Sequence, residues 1–347
     1  MRQKHWLLLL IFFLGVCLLF VSRNPGHFSK LDSEMERALL ETRELSEMGV
    51  FLASQKRRVL RVREACAQGV SKVSYKLALY NLIADKEQSI LFCPIFKSAS
   101  TSWLIALLEM RGEWTPQNTP DDLNAIRKRV YKILMGFTPS DQDIFYQNRF
   151  LVVRHPFERL VSCYRDKFEN ANKPYYHELH GKRMMRMYRD LGDNPVSRTE
   201  VNNLMARADA DPDRERVLGN PFANPVGPTF TEFIKYVVSK HSDDEHWTPY
   251  HHQCAPCSID YNFILKFENL NKENAQFLQR LNAGADVGQR KDNIFSGPPT
   301  AEVACSYFSQ LDTALLYQLT KKYEPDFKLF GYTPNEYLKC SDEYIQP

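Results

Sequence analysis

The chain opens on an unbroken apolar run, Trp6 to Val21 (WLLLLIFFLGVCLLFV), with Arg2, Lys4 and His5 ahead of it. As a helix this run spans roughly 24 Å at ~1.5 Å per residue. That is short for a plasma membrane and suits a thinner early-secretory one. It exceeds a usual signal-peptide core, and the SRNPGHF that follows offers no small-x-small cleavage site. The pattern predicts an uncleaved signal-anchor helix over residues 6–22. The positive flank keeps residues 1–5 cytosolic, so residues 23–347 would face a lumen. No Asn-x-Ser/Thr sequon supports this, since Asn118-Thr119 is followed by Pro120.

Residues 24–30 read as a linker, and residues 31–64 as a charged, helix-favouring stem. Leu31, Ala38, Leu45, Leu52 and Val59 recur every seven residues, but the companion seam is mostly Glu and Gln. A solvated helix is the expectation, not a coiled coil, although the stem is where a homodimer would form. The expected domain boundary falls between a stem at 23–65 and a packed domain at 66–347.

Within that domain two segments share one grammar: a short apolar run, a turn, then helical periodicity. The first is Ser89–Cys93, then PIFKSAST, then SWLIALLEM; the second is Phe150–Val153, then RHP, then FERLVSCYRDKF. Ile264–Phe267 reads as a further strand. The fold class predicted is α/β, a P-loop-like parallel sheet flanked by helices and preceded by one anchor helix. Residues 171–225 are polar and read as loops and helices outside the core, on the side where an acceptor would bind.

Charge narrows the function. Lys and Arg number 45 against 42 Asp and Glu, a net +3. Arg2 and Lys4 belong to the N-terminus, so the rest is close to neutral. A bulk nucleic-acid binder needs a strong positive excess, so nucleic acid is not an expected partner and any anion site must be local. Of the eight cysteines, Cys17 lies in the apolar run. The remaining seven are an odd number, which in an oxidising compartment leaves a free thiol or an intermolecular bridge.

Two turns are candidate anion sites. In Lys97-Ser98-Ala99-Ser100-Thr101-Ser102, small residues let the backbone curl around an anion. A helix starting near Ser102 would add its positive end, and Lys97 a full charge. The loop has no glycine and is not a Walker A motif; an ordinary Ser/Thr helix cap is the plainer account. The second turn, Arg154-His155-Pro156-Phe157-Glu158-Arg159-Leu160-Val161-Ser162, places an arginine at a strand end, able to fork onto a phosphate. Pro156 suits a first helical turn, and Ser162 falls about two turns further on.

Taken together, these turns resemble the Golgi carbohydrate sulfotransferases of the chondroitin/dermatan 4-O-sulfotransferase and glucuronyl 3-O-sulfotransferase group. The family's first loop, PK-x-x-x-T-x-W, matches at Lys97, Thr101 and Trp103. Its second, R-[DE]-PFERL-[VI]-S-x-[YF]-x-[DN]-KF, matches Arg154 to Phe168 almost throughout. Further likeness lies in His246-Trp247, Cys254-Ala255-Pro256-Cys257, Lys266-Phe267-Glu268 and Tyr323 to Tyr332. The chain departs from the pattern at Phe96 (usually proline), His155 (usually an acid) and Ser102 (often asparagine).

The resemblance implies sulfuryl transfer from 3′-phosphoadenosine 5′-phosphosulfate to a sugar hydroxyl in a Golgi lumen, with GalNAc O4 of chondroitin or dermatan the preferred acceptor. It implies that residues 96–102 hold the 5′-phosphosulfate and residues 154–162 the 3′-phosphate, led by Arg154 and Ser162. Sulfuryl transfer parallels phosphoryl transfer with less charge, so a metal is not required. Lys97 would stabilise the leaving phosphate oxygen, and His246 is the candidate base for the acceptor hydroxyl. The alternative is that His246 packs beside Trp247.

Other chemistries remain open on sequence. His246, His251 and His252 with Cys254 and Cys257 could form half of a zinc site, although structural disulfides fit a lumen better. Asp209, Asp211 and Asp213 form overlapping D-x-D pairs of the kind glycosyltransferases use. They lack a preceding strand. A non-catalytic glycan-binding membrane protein would not require the two anion turns.

Overall fold

The computed structural model describes residues 25–71, 76–114, 123–134, 146–169, 174–189, 227–239, 244–284, 287–288 and 297–340, with side chains from Ser46 onward. The expected anchor at 6–22, the D-x-D pairs and most of the polar segment 171–225 lie outside these residues. Among the described residues no helix is long and apolar enough to cross a membrane.

The chain divides into two units, residues 1–54 and 55–347. In the first, the backbone is helical from Pro25, the start of α1, which runs to Ala67. The second unit takes in the last part of this helix, Gln55 to Ala67. The reason is packing: Val59, Val62 and Ala65 are buried beside Leu91, Leu151 and Ile264. Arg58 also forks onto Glu273 with two contacts of 2.7 Å. The packed unit therefore begins at Gln55, ahead of the boundary expected at Cys66.

The second unit is built on a four-stranded sheet, β1 (Ile83–Asp85), β2 (Ile90–Cys93), β3 (Asn148–Val153) and β4 (Phe263–Lys266), in that spatial order. β2, β3 and β4 are parallel, as expected; the edge strand β1 is antiparallel, so the sheet is mixed. Helices cover both faces, and this is why β2 and β3 read as continuous apolar runs rather than alternating ones. On one face Phe92, Phe150 and Phe263 stand in register across three strands. Trp103 of α2 (Ser100–Met110) and Phe277 pack on Phe150 with centroids 4.7 and 4.8 Å away. Beyond β3 lie α3 (Pro156–Tyr164), a wider π turn over Arg165–Glu169, and α4 (Lys182–Tyr188). The unit also contains α5 (Phe230–Val238), α6 (Leu270–Arg280), α7 (Thr300–Phe308) and α8 (Thr313–Phe330), besides shorter helices and the helix Leu123–Leu134. A second apolar cluster joins Phe157, Leu160 and Val161 of α3 to Phe233, Trp247, Phe308 and Leu319.

Three disulfides join Cys66 to Cys257, Cys93 to Cys254, and Cys305 to Cys340; Cys163 is free and buried. The two cysteines of the C-x-x-C turn thus go to different partners, one on α1 and one at the end of β2. This removes them from any zinc site. Among the described residues no group of three or more His, Cys, Asp or Glu side chains is placed to hold a metal ion.

Candidate active site

Both anion turns leave the C-terminal ends of adjacent parallel strands, the edge at which an open α/β sheet presents its ligand crevice. In the first turn Lys97 and Ala99 both adopt left-handed backbone, with φ 68° and 60°. Neither is glycine, so each costs on the order of 1 kcal/mol or more, and such strain collects at ligand clamps. Ala99 is the N-cap of α2 and contributes no side-chain cap. The helix starts at Ser100, two residues earlier than expected, so Ser100, Thr101 and Ser102 form its first turn. An uncapped N-terminus on an eleven-residue helix leaves donor N–H groups for an anion.

Lys97 turns its ammonium to Asp166 of the π turn, 3.0 Å away. Burial pulls its pKa below the ordinary lysine value, and the Asp166 carboxylate opposes that. Lys167 reaches the same Asp166 oxygen at 3.2 Å. Asp166 was legible as part of the second-loop motif, though its partnership with Lys97 was not.

Arg154 is 5% exposed. It lies over the Phe267 ring at 4.3 Å, approaches Glu158 at 3.4 Å, and donates to the Lys97 carbonyl at 3.4 Å. That last contact brings the two turns together.

The rest of the second turn is committed to the fold. Pro156, Phe157, Leu160 and Val161 are buried in the core around α3. Arg159 is 0% exposed, and its guanidinium donates to the carbonyls of Phe96, Thr248 and Glu245 and to the Gln253 side chain, at 2.8–3.2 Å. It also lies over Tyr250 at 4.9 Å. Expected above as part of an anion site, Arg159 is instead the tie that fixes the first turn against residues 245–253. Arg159→Met would strand several buried acceptors, each costing about 1–3 kcal/mol. Thermal or urea denaturation should show a loss of at least 3 kcal/mol, and an unchanged midpoint would contradict the assignment.

His155 has no free ring nitrogen. Its Nδ1 accepts the Phe157 N–H at 3.2 Å, and its Nε2 donates to the Thr333 carbonyl at 2.9 Å. Burial lowers its pKa, consistent with a neutral ring. His155 caps α3 as an acid would, which accounts for its standing where the resembling family has one. Its own N–H donates to Glu268 at 2.7 Å, and Tyr332 holds the same carboxylate at 2.9 Å. Of the second turn, Arg154 and the half-exposed Ser162 are left to meet a ligand.

His246 comes to the same place from a different loop. It is 5% exposed, and its ring packs 4.8 Å from Phe96 and 5.0 Å from Tyr176. Its Nδ1 is 2.8 Å from Asp244 Oδ1 and 2.9 Å from the Tyr176 hydroxyl. Arg127 lies over the Phe96 ring at 4.6 Å and pairs with Glu245 at 2.9 Å. Burial pulls the His246 pKa down, and Asp244 opposes the shift. His251 is not part of this group: its ring and backbone bond the buried Asp326 at 2.8 and 2.9 Å. The structure therefore gathers Phe96, Lys97, Ser100–Ser102, Arg154 and His246, and adds Asp166, Tyr176 and Asp244.

Comparison with known proteins places the chain in a family. The pattern of the Sulfotransferase family matches residues 80–333, which carry both turns, Asp244, His246 and the C-x-x-C turn. Carbohydrate sulfotransferase 12 of Mus musculus is 28% identical over 287 residues, 75% of this chain and 62% of its own length. Carbohydrate sulfotransferase 14 of Danio rerio is 26% identical, over 80% of this chain and 72% of its own length. For carbohydrate sulfotransferase 8 of Homo sapiens the figures are 27%, 81% and 63%. The chain thus spans less than two thirds of the first and third of these relatives. No solved structure matches. With the family pattern covering most of its length, the chain belongs to the Sulfotransferase family.

Proposed function

We propose that this protein is a carbohydrate O-sulfotransferase that moves a sulfuryl group from 3′-phosphoadenosine 5′-phosphosulfate to a sugar hydroxyl. The observation that carries the reading is the meeting of Lys97 and Arg154 at the ends of adjacent parallel strands, joined through the Lys97 carbonyl. The set suits an anionic donor: a half-buried ammonium, a buried guanidinium and an uncapped helix end converge on one edge of the sheet.

The donor, when bound, supplies the sulfuryl group. Arg154, with Ser162, would hold the 3′-phosphate, and the first turn of α2 the 5′-phosphosulfate. Lys97 neutralises charge that builds on the leaving oxygen; Asp166 keeps its side chain in place. His246 takes the proton from the acceptor hydroxyl through Nε2. Phe96 and Tyr176 pack on that ring and exclude water around it.

The resemblance to the chondroitin/dermatan 4-O-sulfotransferase group favours GalNAc O4 of chondroitin or dermatan as the acceptor, and the likeness to carbohydrate sulfotransferases supports a sugar acceptor. The three disulfides fit an oxidising lumen. They support a Golgi location with the catalytic unit luminal, behind an anchor at residues 6–22.

Calorimetric titration of the full chain with adenosine-3′,5′-bisphosphate tests the donor site. Binding is expected, and Arg154→Ala should weaken it about 10- to 100-fold, the value of one charge-assisted contact of about 1.5–3 kcal/mol. A folded Arg154→Ala variant that binds as tightly as the parent would remove Arg154 from the site.

A further inference from the structure

We propose that Asp244 is a positioning residue for His246: it holds the imidazole in the tautomer that leaves Nε2 free to take a proton, with His180 bracing the same carboxylate. The proposal rests on the reading of His246 as the base.

The geometry begins with the backbone. Asp244 opens a tight turn in which its carbonyl accepts from the Trp247 and Thr248 N–H groups at 3.1 and 2.7 Å and from the Thr248 hydroxyl at 2.7 Å. Its Oδ1 accepts the His246 N–H at 2.9 Å and meets Nδ1 at 2.8 Å. One carboxylate oxygen therefore fixes both the main chain and the ring of His246. The second oxygen lies 3.5 Å from His180 Nε2. The His180 ring is itself held against Trp247 at 5.0 Å and Tyr176 at 6.0 Å.

Burial pushes the Asp244 carboxyl up, but the nearby His180 ring and the hydrogen bonds from His246 outweigh it and hold the group below the usual carboxylate range. Asp244 is thus ionised and can only accept. The hydrogen of a neutral His246 ring must then sit on Nδ1, which leaves the lone pair on Nε2. The Tyr176 oxygen lies alongside the same Nδ1–H. No partner for Nε2 is present among the described residues.

Once Nε2 takes a proton the ring is cationic. Asp244 stabilises that charge, Glu245 assists and Lys167 opposes. Arg127 pairs with Glu245 and offsets part of its contribution. Asp244 is the only one of these in direct contact with the ring as a charge.

A purely structural Asp244 would close the turn and do no more. Asparagine separates the two roles, because its Oδ1 still accepts the His246 N–H while the charge is gone. The experiment measures sulfate transfer from 3′-phosphoadenosine 5′-phosphosulfate to desulfated chondroitin by the full chain, for the parent, Asp244→Asn and His246→Ala. It includes the pH–rate profile and the thermal midpoint of each. Asp244→Asn is expected to lower kcat by about 10²-fold, the low end of what a positioned base contributes, with KM for the acceptor unchanged. Its acid limb should move to lower pH, because the imidazolium has lost its counter-charge.

A folded Asp244→Asn variant with the parent's kcat and acid limb overturns the positioning role. If His246→Ala has meanwhile lost the limb, the base reading stands. A His246→Ala variant that keeps the acid limb overturns the base reading, and this proposal with it.

Discussion

His246→Ala should lower sulfate transfer by ~10²–10⁴-fold, the range of a positioned general base, while adenosine-3′,5′-bisphosphate binds as tightly as before. The donor contacts assigned to Lys97 and Arg154 do not pass through the imidazole, so donor affinity should survive. The ring works as a base only when neutral, and burial favours that form. The acid limb of the parent's rate profile should accordingly lie below the ordinary histidine range and vanish in the variant. Calorimetry beside the rate profile distinguishes this from a packing role. A His246 that only supported Trp247 and Phe96 would, when removed, lower thermal stability and weaken donor binding and turnover together.

Lys97→Ala should cost ~10²–10³ in kcat, the usual effect of deleting one preorganised donor to developing negative charge. The fold should survive. Asp166 keeps Lys167 at 3.2 Å, so the deletion does not leave an unpaired carboxylate in the site. The loss should fall on kcat more than on donor affinity if Lys97 has the proposed role, acting on charge that grows during the step. Single-turnover rates with thermal midpoints measured alongside would check this. A folded variant with near-parent turnover would exclude Lys97 from the chemistry.

Much of the architecture was legible because the sheet is covered on both faces. That burial makes β2, β3 and β4 stand out as apolar runs between turn residues. β1 was not legible: three residues are too few to show a period, and it ends on Asp85, a buried charge held by Arg111 at 2.9 Å. The packing of the end of α1 on the sheet was not legible for a related reason. Val59 was visible as one step of a heptad, but the heptad does not say whether its face meets another copy or the chain's own sheet.

The candidate site was legible as motif and opaque as contact. Lys97, Arg154 and His246 were singled out from residue type and place, and the structure brings Phe96 beside His246 and Arg154 onto the Lys97 carbonyl. Arg159 looked the same on the page as Arg154, five positions apart on a charged turn. Only the packed structure shows that both guanidiniums reach the first turn, Arg159 fully buried with contacts of 2.8–3.2 Å to four protein acceptors and Arg154 through looser 3.4 Å contacts to Glu158 and the Lys97 carbonyl. Asp244 escaped notice because an acid two residues before a histidine is common, and its meaning depends on a turn that folds its carboxylate onto both the main chain and the ring.

The most direct test of the account is transfer of radiolabelled sulfate from 3′-phosphoadenosine 5′-phosphosulfate by the purified full chain to a panel of desulfated chondroitin, desulfated dermatan and glucuronate-terminated glycans. The account predicts donor-dependent label in a glycan, at GalNAc O4 of chondroitin or dermatan, that is lost in Lys97→Ala and His246→Ala. A folded chain that binds adenosine-3′,5′-bisphosphate yet labels GalNAc at another hydroxyl, or a different sugar, would contradict the acceptor assignment. A folded chain that neither binds that nucleotide nor labels any member of the panel would contradict the central claim.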